Sequence, residues 1–175
     1  MDFSNKIANE LLYLPKSIFI NDKKEECIQV NTYELPINIK YNAFSDDGDY
    51  EFLIEIRQSA KHRVNITLHF QEDETKIGLL RIDYCGQHKN PELLNEYVPD
   101  YIRPYAGACF GYNEHHIHYH VQGYRTLAWA IPLQIDEFSV KKMVDFTSLR
   151  QALVAFSKKI NLTTEIILVE ERLFL

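Results

Sequence analysis

Apolar and polar residues alternate along the middle of this chain, and this alternation restricts its fold more than any other feature. From residue 64 to residue 70 every second side chain is apolar, and residues 52–56 follow a similar pattern. Because successive side chains of a strand point to opposite faces, this period predicts strands with one buried face. The sequence Ser-Asp-Asp-Gly-Asp at 45–49 predicts a hairpin turn. The middle of the chain is therefore predicted to form a mainly antiparallel sheet.

Helical spacing of apolar residues occurs near both ends of the chain. Phe3, Ile7 and Leu11 predict an N-terminal helix that ends before Pro15. An amphipathic C-terminal helix is predicted from Phe146, Leu149, Leu153, Phe156 and Ile160. Further strands are predicted at 17–20, 27–33, 35–44, 76–84, 126–133 and 165–175. Since no repeat or linker is visible, we expect a single α+β domain over residues 1–175.

Residues 86–112 break this regularity. They begin with Gly-Gln-His-Lys-Asn-Pro and contain two further prolines and two further glycines, which predicts an irregular insert with at most a helical turn at 92–97. Long irregular segments inside a domain are commonly functional. The insert carries aromatic residues that suit a protein interface, namely Tyr97, Tyr101, Tyr105 and Phe110.

The charge balance of the chain limits its partners. The formal net charge is −6 at pH 7, whereas broad, sequence-independent binding of phosphate backbones needs a basic surface. A local site for RNA or a nucleotide is compatible with this charge, and so is docking onto a basic protein.

The cysteines and the N-terminal residues predict a cytoplasmic protein without membrane contact. Three cysteines with no CxxC pair indicate reduced thiols rather than a zinc ribbon or a redox motif. Asn and Glu interrupt the apolar residues of the first twelve positions, which is unlike a signal peptide. No window approaches the roughly 18 uninterrupted apolar residues of a membrane span.

Four histidines fall within six positions, at His115, His116, His118 and His120. In a strand, His116, His118 and His120 share one face, in a row spaced by about 7 Å. Imidazole titrates near neutral pH and ligates metals, so this strand is the candidate site. His115 falls on the opposite face and His120 lies further from the rim, so His116 and His118 are the principal candidates.

Two charged residues, Arg81 and Asp83, share one face of the apolar strand that precedes the insert. Burying either charge is costly unless it is paired. They form either an internal ion pair that anchors the sheet, or an anion-binding Arg81 beside an Asp83 that orients a histidine. His88 lies just past the end of this strand. If the histidine strand is its neighbour, Asp83, His88, His116 and His118 meet at one rim.

Three interpretations of such a cluster stay open. The side chains can ligate Zn²⁺ or a similar metal through nitrogen and carboxylate groups. They can also perform metal-free general acid–base catalysis on a phosphodiester, with Arg81 stabilising the developing charge. Alternatively, His116 and His118 only hydrogen-bond to loop backbone and hold the insert in place. The sequence identifies neither a metal nor a cofactor.

The sequence His116-Ile-His-Tyr-His-Val-Gln122 resembles the histidine-triad pattern of nucleotide hydrolases and transferases. The resemblance implies that His118 is a nucleophile. The chain departs from the pattern because Gln122 is polar and because about fifty residues follow a motif that normally closes the fold. The polar, glycine-rich run expected upstream is replaced by Ala-Gly-Ala-Cys-Phe-Gly-Tyr-Asn.

A second resemblance covers about residues 50–160. The motifs that carry it are, in order, Phe52-Leu-Ile-Glu-Ile-Arg57, Leu79-Leu-Arg-Ile-Asp83, Gly86-Gln-His-Lys-Asn-Pro91, His116-Ile-His-Tyr119, Gly123-Tyr124 and Trp129-Ala-Ile-Pro-Leu133. They resemble a family of small bacterial proteins of unknown function with a similar "LLRLD…HTNP…HLHIY…WA-PL" layout. That family commonly has Tyr at the third histidine position, which implies a smaller role for His120. The resemblance implies one functional unit, but no known activity, for Arg81, Asp83, His88, His116 and His118.

Two hypotheses for the function follow from these residues. In the first, a bacterial or phage accessory protein acts on RNA or a nucleotide. Its general base is His118 or His116, its general acid is His88, Arg81 clamps the phosphate and Asp83 orients a histidine. In the second, a non-catalytic inhibitor or antitoxin in phage defence or counter-defence binds a protein through residues 92–112. Neither hypothesis predicts an oligomeric state.

Overall fold

The alternating segments form one large antiparallel sheet. A computed structural model describes residues 3–32 and 35–169 of the chain. Its strands are β1 (Lys16–Ile20), β2 (Lys23–Lys24), β3 (Cys27–Asn31), β4 (Ile37–Ser45), β5 (Glu51–Gln58), β6 (Ile66–Glu72), β7 (Ile77–Asp83), β8 (His88–Lys89), β9 (Cys109–Phe110), β10 (His116–Tyr119), β11 (Trp129–Pro132) and β12 (Glu165–Val169). Eight of them form the main sheet in the order β11–β10–β7–β6–β5–β4–β1–β2. Neighbouring strands in it run antiparallel.

Two α-helices form, one near each end of the chain, as predicted. Helix α1 (Asn5–Tyr13) begins after Ser4, whose side chain accepts a hydrogen bond from the first turn. Helix α2 (Phe146–Lys159) begins after Asp145, which forms a capping box with Ser148. No helix within the described ranges has the length and apolarity needed to cross a membrane.

The alternation decides which face of the sheet is buried. In β5, Phe52, Ile54 and Ile56 are at most 2% exposed, whereas Arg57 on the other face is exposed. Both helices contribute apolar side chains to the same core. Trp129 in β11 is fully buried. The predicted α+β architecture with a mainly antiparallel sheet is confirmed.

Some predicted boundaries are wrong. The strand predicted at 126–133 is confined to β11, because Leu127 has a left-handed backbone (φ 52°) that keeps the preceding residues in a turn. Of the predicted final strand at 165–175, β12 covers the first part, and residues 170–175 lie outside the described residues. β12 pairs in parallel with β3, a departure from the antiparallel pairing of the main sheet.

The insert at 86–112 is mainly irregular, as predicted, and it is anchored to the sheet. It contains β8, β9 and a 3₁₀ turn at Arg103–Tyr105, whereas residues 92–97 form no helical turn. β8 pairs with β9, so the two ends of the insert lie together. The Asn90 side chain accepts a hydrogen bond from the Ala130 amide (2.8 Å) and donates one to the Ala130 carbonyl (2.7 Å) of β11. Asn90 therefore joins the insert to an edge strand.

Candidate functional site

The register of the sheet brings the predicted site residues together on the face opposite the core. His116 of β10 lies directly across from Asp83 of β7, and His118 lies across from Arg81. β8 then places the ring of His88 with its centroid 4.5 Å from that of His118. All five predicted residues therefore form one group, which we call the His/Arg/Asp cluster (Arg81, Asp83, His88, His116 and His118).

Asp83 is the centre of this cluster. One of its oxygens, Oδ1, accepts a hydrogen bond from Thr67 Oγ1 (2.7 Å), and the other, Oδ2, accepts one from Arg81 Nε (2.8 Å). Burial alone would raise the pKa of the Asp83 carboxyl. Its contact with His118 and the charge of Arg81 outweigh burial and hold that pKa well below the usual range. Asp83 is therefore ionised although only 8% of it is exposed.

His118 is neutral, and its hydrogen-bond partners assign its tautomer. Its Nδ1 lies 3.0 Å from the Leu127 carbonyl oxygen, so Nδ1 carries the proton and donates it. Burial, followed by the charge of Arg81, lowers the pKa of His118 to about 4. Nε2 therefore has a lone pair, which accepts a hydrogen bond from Arg81 Nη2 at 2.8 Å. Asp83 Oδ2 lies 3.1 Å from the same nitrogen.

His116 is held in the same way. Its Nδ1 lies 2.7 Å from the Glu114 carbonyl oxygen and donates to it, which leaves a lone pair on Nε2. That Nε2 lies 3.7 Å from Asp83 Oδ2. Burial lowers the pKa of His116, and the ring of Phe110 covers it at a centroid distance of 4.8 Å. His116 is therefore also a buried, neutral imidazole.

His88 is the more accessible histidine of the cluster. Its Nε2 lies 3.0 Å from both the Asn90 Oδ1 and the Ala128 carbonyl oxygen. Both partners are acceptors, so Nε2 carries the proton and Nδ1 has the lone pair. Burial lowers the pKa of His88 too. Solvent reaches the cluster through partly exposed His88 and through the Arg81 side chain, which is 29% exposed.

The residues of the cluster also make the structural contacts that the sequence left open as an alternative. Arg81 and Asp83 do form the internal ion pair, and His116 and His118 do hydrogen-bond to backbone carbonyls. These contacts account for one nitrogen of each imidazole. The second nitrogens of His116 and His118 both face Asp83.

The other histidines lie outside the cluster. Strand β10 ends at Tyr119, and His120 instead contacts the N-terminal segment, with its Nε2 2.8 Å from the Phe3 carbonyl oxygen. The expected row of three histidines is therefore a pair. His115 packs against Tyr84 at a centroid distance of 5.6 Å. Without a third histidine in line, the histidine-triad interpretation loses its geometric basis.

The model of one protein family matches residues 3–162 of this chain, a range that contains the whole cluster. The chain belongs to DUF6978, a family of unknown function. The predicted membership of an uncharacterised family is thereby confirmed. No curated protein and no solved structure matches the chain.

Three residues of this DUF6978 protein support the cluster but were missed in the sequence. Thr67 holds Asp83, Asn90 holds His88 and Phe110 covers His116. The sequence could have indicated the role of Asn90, because this residue follows His88 by two positions in a polar loop motif. No local pattern indicates the roles of Thr67 and Phe110, since these roles depend on strand register and on the path of the insert.

Part of the cluster has the donor set of a metal site. One ligand atom from each of Asp83, His116 and His118 can be chosen so that all three lie within 4.8 Å of one another. Two imidazole nitrogens and one carboxylate suit zinc and related transition metals. The DUF6978 cluster can thus hold a phosphate through Arg81, exchange protons through imidazoles, or ligate an ion.

Proposed function

We propose that the His/Arg/Asp cluster acts on the phosphodiester bond of RNA or of a nucleotide, in a bacterial or phage accessory protein of the cytoplasm. One observation carries the proposal: a partly exposed guanidinium is hydrogen-bonded to the lone pair of a fully buried, neutral histidine, Arg81 Nη2 to His118 Nε2. This contact lies on the face of the sheet opposite the core, and the guanidinium is open to solvent. It is useful where an anion is to be bound and a base is to be released.

Binding of a phosphate would change the state of His118. A guanidinium forms stronger, bidentate hydrogen bonds with a phosphate than with a single imidazole nitrogen. A bound phosphate therefore draws Arg81 away from His118 Nε2. That nitrogen then faces Asp83 Oδ2 alone, at 3.1 Å, and a neighbouring carboxylate favours the protonated imidazole. His118 becomes a base when the substrate arrives.

The remaining roles follow from position. His118 Nε2 takes the proton from the attacking hydroxyl, either a ribose 2′-hydroxyl or water, as its oxygen bonds to phosphorus. The bond from phosphorus to the leaving oxygen breaks, and His88 donates a proton to that oxygen from Nδ1, which takes up this proton when the anionic phosphate is bound beside it. Arg81 stabilises the charge on the non-bridging oxygens. His116 is the alternative base, because its Nε2 faces the same carboxylate.

The first prediction concerns His118. In His118→Gln the amide oxygen can accept the hydrogen bond from Arg81 but cannot take a proton at neutral pH. We expect turnover of RNA or nucleotide phosphodiesters to fall about 100-fold or more, with the circular dichroism spectrum unchanged. The measurement is product formation on a panel of RNA and nucleotide substrates, with chelator and separately with added divalent metal.

His62→Gln is the matched control, because His62 is exposed in the turn between β5 and β6. It should have wild-type turnover. Equal turnover in His118→Gln and wild type, or no turnover by the wild type on the whole panel, would overturn the proposal.

A second candidate function is protein binding by the insert. Leu93 is 83% exposed and Tyr101 55% exposed, so the insert presents apolar surface to solvent. Tyr105 and Phe110, however, are turned towards the protein, which halves the predicted aromatic surface. This candidate agrees with an inhibitor or antitoxin role.

The test uses point variants, because the insert is anchored through Asn90 and its deletion would disturb the cluster. The double variant Leu93→Ser/Tyr101→Ser should lose a partner that the wild type retains in pull-down from a host lysate. Ile135→Ser, an exposed apolar residue outside the insert, is the control. Capture that is equal in all three proteins contradicts this candidate.

A further inference from the structure

We propose that Asp83 Oδ2, His116 Nε2 and His118 Nε2 bind one divalent transition-metal ion of the zinc class, and that Arg81 is the cation that competes with this ion in the metal-free protein. A nitrogen that ligates the ion cannot also take a proton, so in the metal-bound protein the base would be a water on the ion rather than His118 or His116. This use of the ion in phosphate chemistry rests on the proposed function. Binding of the ion does not, and it can be measured alone.

The tautomers of both histidines favour metal binding. Nδ1 of His116 and of His118 each donates to a backbone carbonyl, at 2.7 and 3.0 Å. Metal-ligating histidines commonly donate their other N–H to a carbonyl or carboxylate, which fixes the ring and leaves the remaining nitrogen for the metal. Here both remaining nitrogens face the same carboxylate oxygen, at 3.7 and 3.1 Å.

The carboxylate is oriented in the same manner. Thr67 Oγ1 donates to Asp83 Oδ1, which turns Oδ2 towards the two imidazoles. Each of the three ligand groups thus has a protein partner that fixes its direction. Such outer partners are typical of built metal sites.

Asp83 Oδ2, His116 Nε2 and His118 Nε2 together form an electronegative group that favours a cation. A carboxylate oxygen and two nitrogen lone pairs repel one another when no hydrogen lies between them. In the metal-free protein the Arg81 guanidinium relieves this repulsion by donating Nε to Asp83 and Nη2 to His118. No donor to His116 Nε2 is found among the described residues, so Arg81 satisfies only part of the set. A metal ion bonds to all three.

The donor set selects the class of ion. Two imidazoles and one carboxylate suit Zn²⁺ or a similar first-row ion, whereas Mg²⁺ and Ca²⁺ prefer oxygen ligands. Three protein ligands leave coordination positions for water or a phosphate oxygen. When the ion displaces Arg81 Nη2 from His118, the guanidinium becomes available for a phosphate beside it.

The test is a calorimetric titration of the full chain with Zn²⁺ and with Mg²⁺ after removal of metal by a chelator. Thiolates are Zn²⁺ ligands and Cys27 and Cys109 are exposed, so both are replaced by Ser in every protein to exclude binding there. We expect one Zn²⁺ per chain, bound at least 100-fold more tightly than Mg²⁺. His116→Gln should weaken Zn²⁺ binding at least tenfold, and His62→Gln should leave it unchanged.

Arg81→Met is the variant that distinguishes a metal-binding cluster from a purely structural one. Removing the competing charge should strengthen Zn²⁺ binding about tenfold, an effect that a lost structural ion pair does not produce. Absence of stoichiometric Zn²⁺ binding, or affinities unaffected by both His116→Gln and Arg81→Met, overturns the inference. Zn²⁺ binding without any phosphodiesterase activity removes the proposed function and leaves the metal site. Activity that persists in chelator, in a protein that binds no Zn²⁺, removes the metal site and leaves the proposed function.

Discussion

At the scale of single residues, the cluster depends on a buried charge that is satisfied from several sides. Asp83 receives hydrogen bonds from Thr67 and Arg81 and lies against His118. Breaking a buried ion pair leaves one charge without compensation, which costs more than the pair contributes. Arg81 is partly exposed, so water recovers some of that cost.

A stability prediction follows for Asp83. In metal-free protein, Asp83→Asn should lower the free energy of unfolding by about 2 kcal/mol, because Arg81 loses its carboxylate. Thr67→Val removes a single hydrogen bond to the same carboxylate and should cost about 1 kcal/mol. Urea unfolding followed by circular dichroism measures both. Equal stability of Asp83→Asn and wild type would mean that the ion pair contributes nothing.

At the scale of elements, one buried lysine connects the ends of both helices. Lys16, the first residue of β1, is fully buried and donates from Nζ to the carbonyl oxygens of Leu12 and Ile160. Leu12 lies in the last turn of α1, and Ile160 follows α2. A positive charge is favourable at helix C-termini, and Nζ also lies 4.9 Å from the centre of the Phe70 ring. Burial nevertheless lowers the pKa of Lys16 to about 7.

This pKa predicts how stability changes in mildly alkaline solution. Between about pH 7 and the unfolded value of 10.5, the unfolded chain binds a proton that folded Lys16 has released. Stability therefore rises with pH in this window, by about 1 kcal/mol per pH unit from Lys16. Chemical unfolding at several pH values measures the slope. Lys16→Met should lack this contribution, and an identical slope in both proteins would refute it.

At the scale of the whole molecule, the protein keeps several imidazoles neutral. Burial lowers the pKa values of His69, His88, His116 and His118. The unfolded chain protonates each of them near the ordinary value of 6.5. In acid, unfolding is therefore accompanied by proton uptake, and the folded state is favoured at neutral pH.

This arrangement predicts loss of stability in mild acid. For His118 the folded pKa is about 4, so its contribution is lost as the pH falls from about 6.5 to 4. That one group accounts for about 3 kcal/mol. Urea unfolding in chelator across this range should show the decline, with a shallower decline in His118→Gln. A wild-type curve that stays level from pH 7 to pH 4 would contradict burial of neutral imidazoles.

The sequence by itself determined most of the architecture of the molecule. Alternation and helical spacing are properties of neighbouring residues, because a strand or helix sends side chains to one face at a fixed period. Arg81, Asp83, His116 and His118 were therefore assigned correctly to shared faces of strands. The same local rule predicts both helices.

Only the tertiary structure decided what the cluster can do. The protonated nitrogen of each imidazole depends on a carbonyl, such as those of Leu127 and Ala128, that chain folding brings to it. The parallel pairing of β3 with β12 and the position of His120 against Phe3 likewise join distant parts of the chain. No local period records which carbonyl or strand will be the neighbour. The side chains that can meet follow from the sequence, whereas their protons and free lone pairs follow from three-dimensional packing.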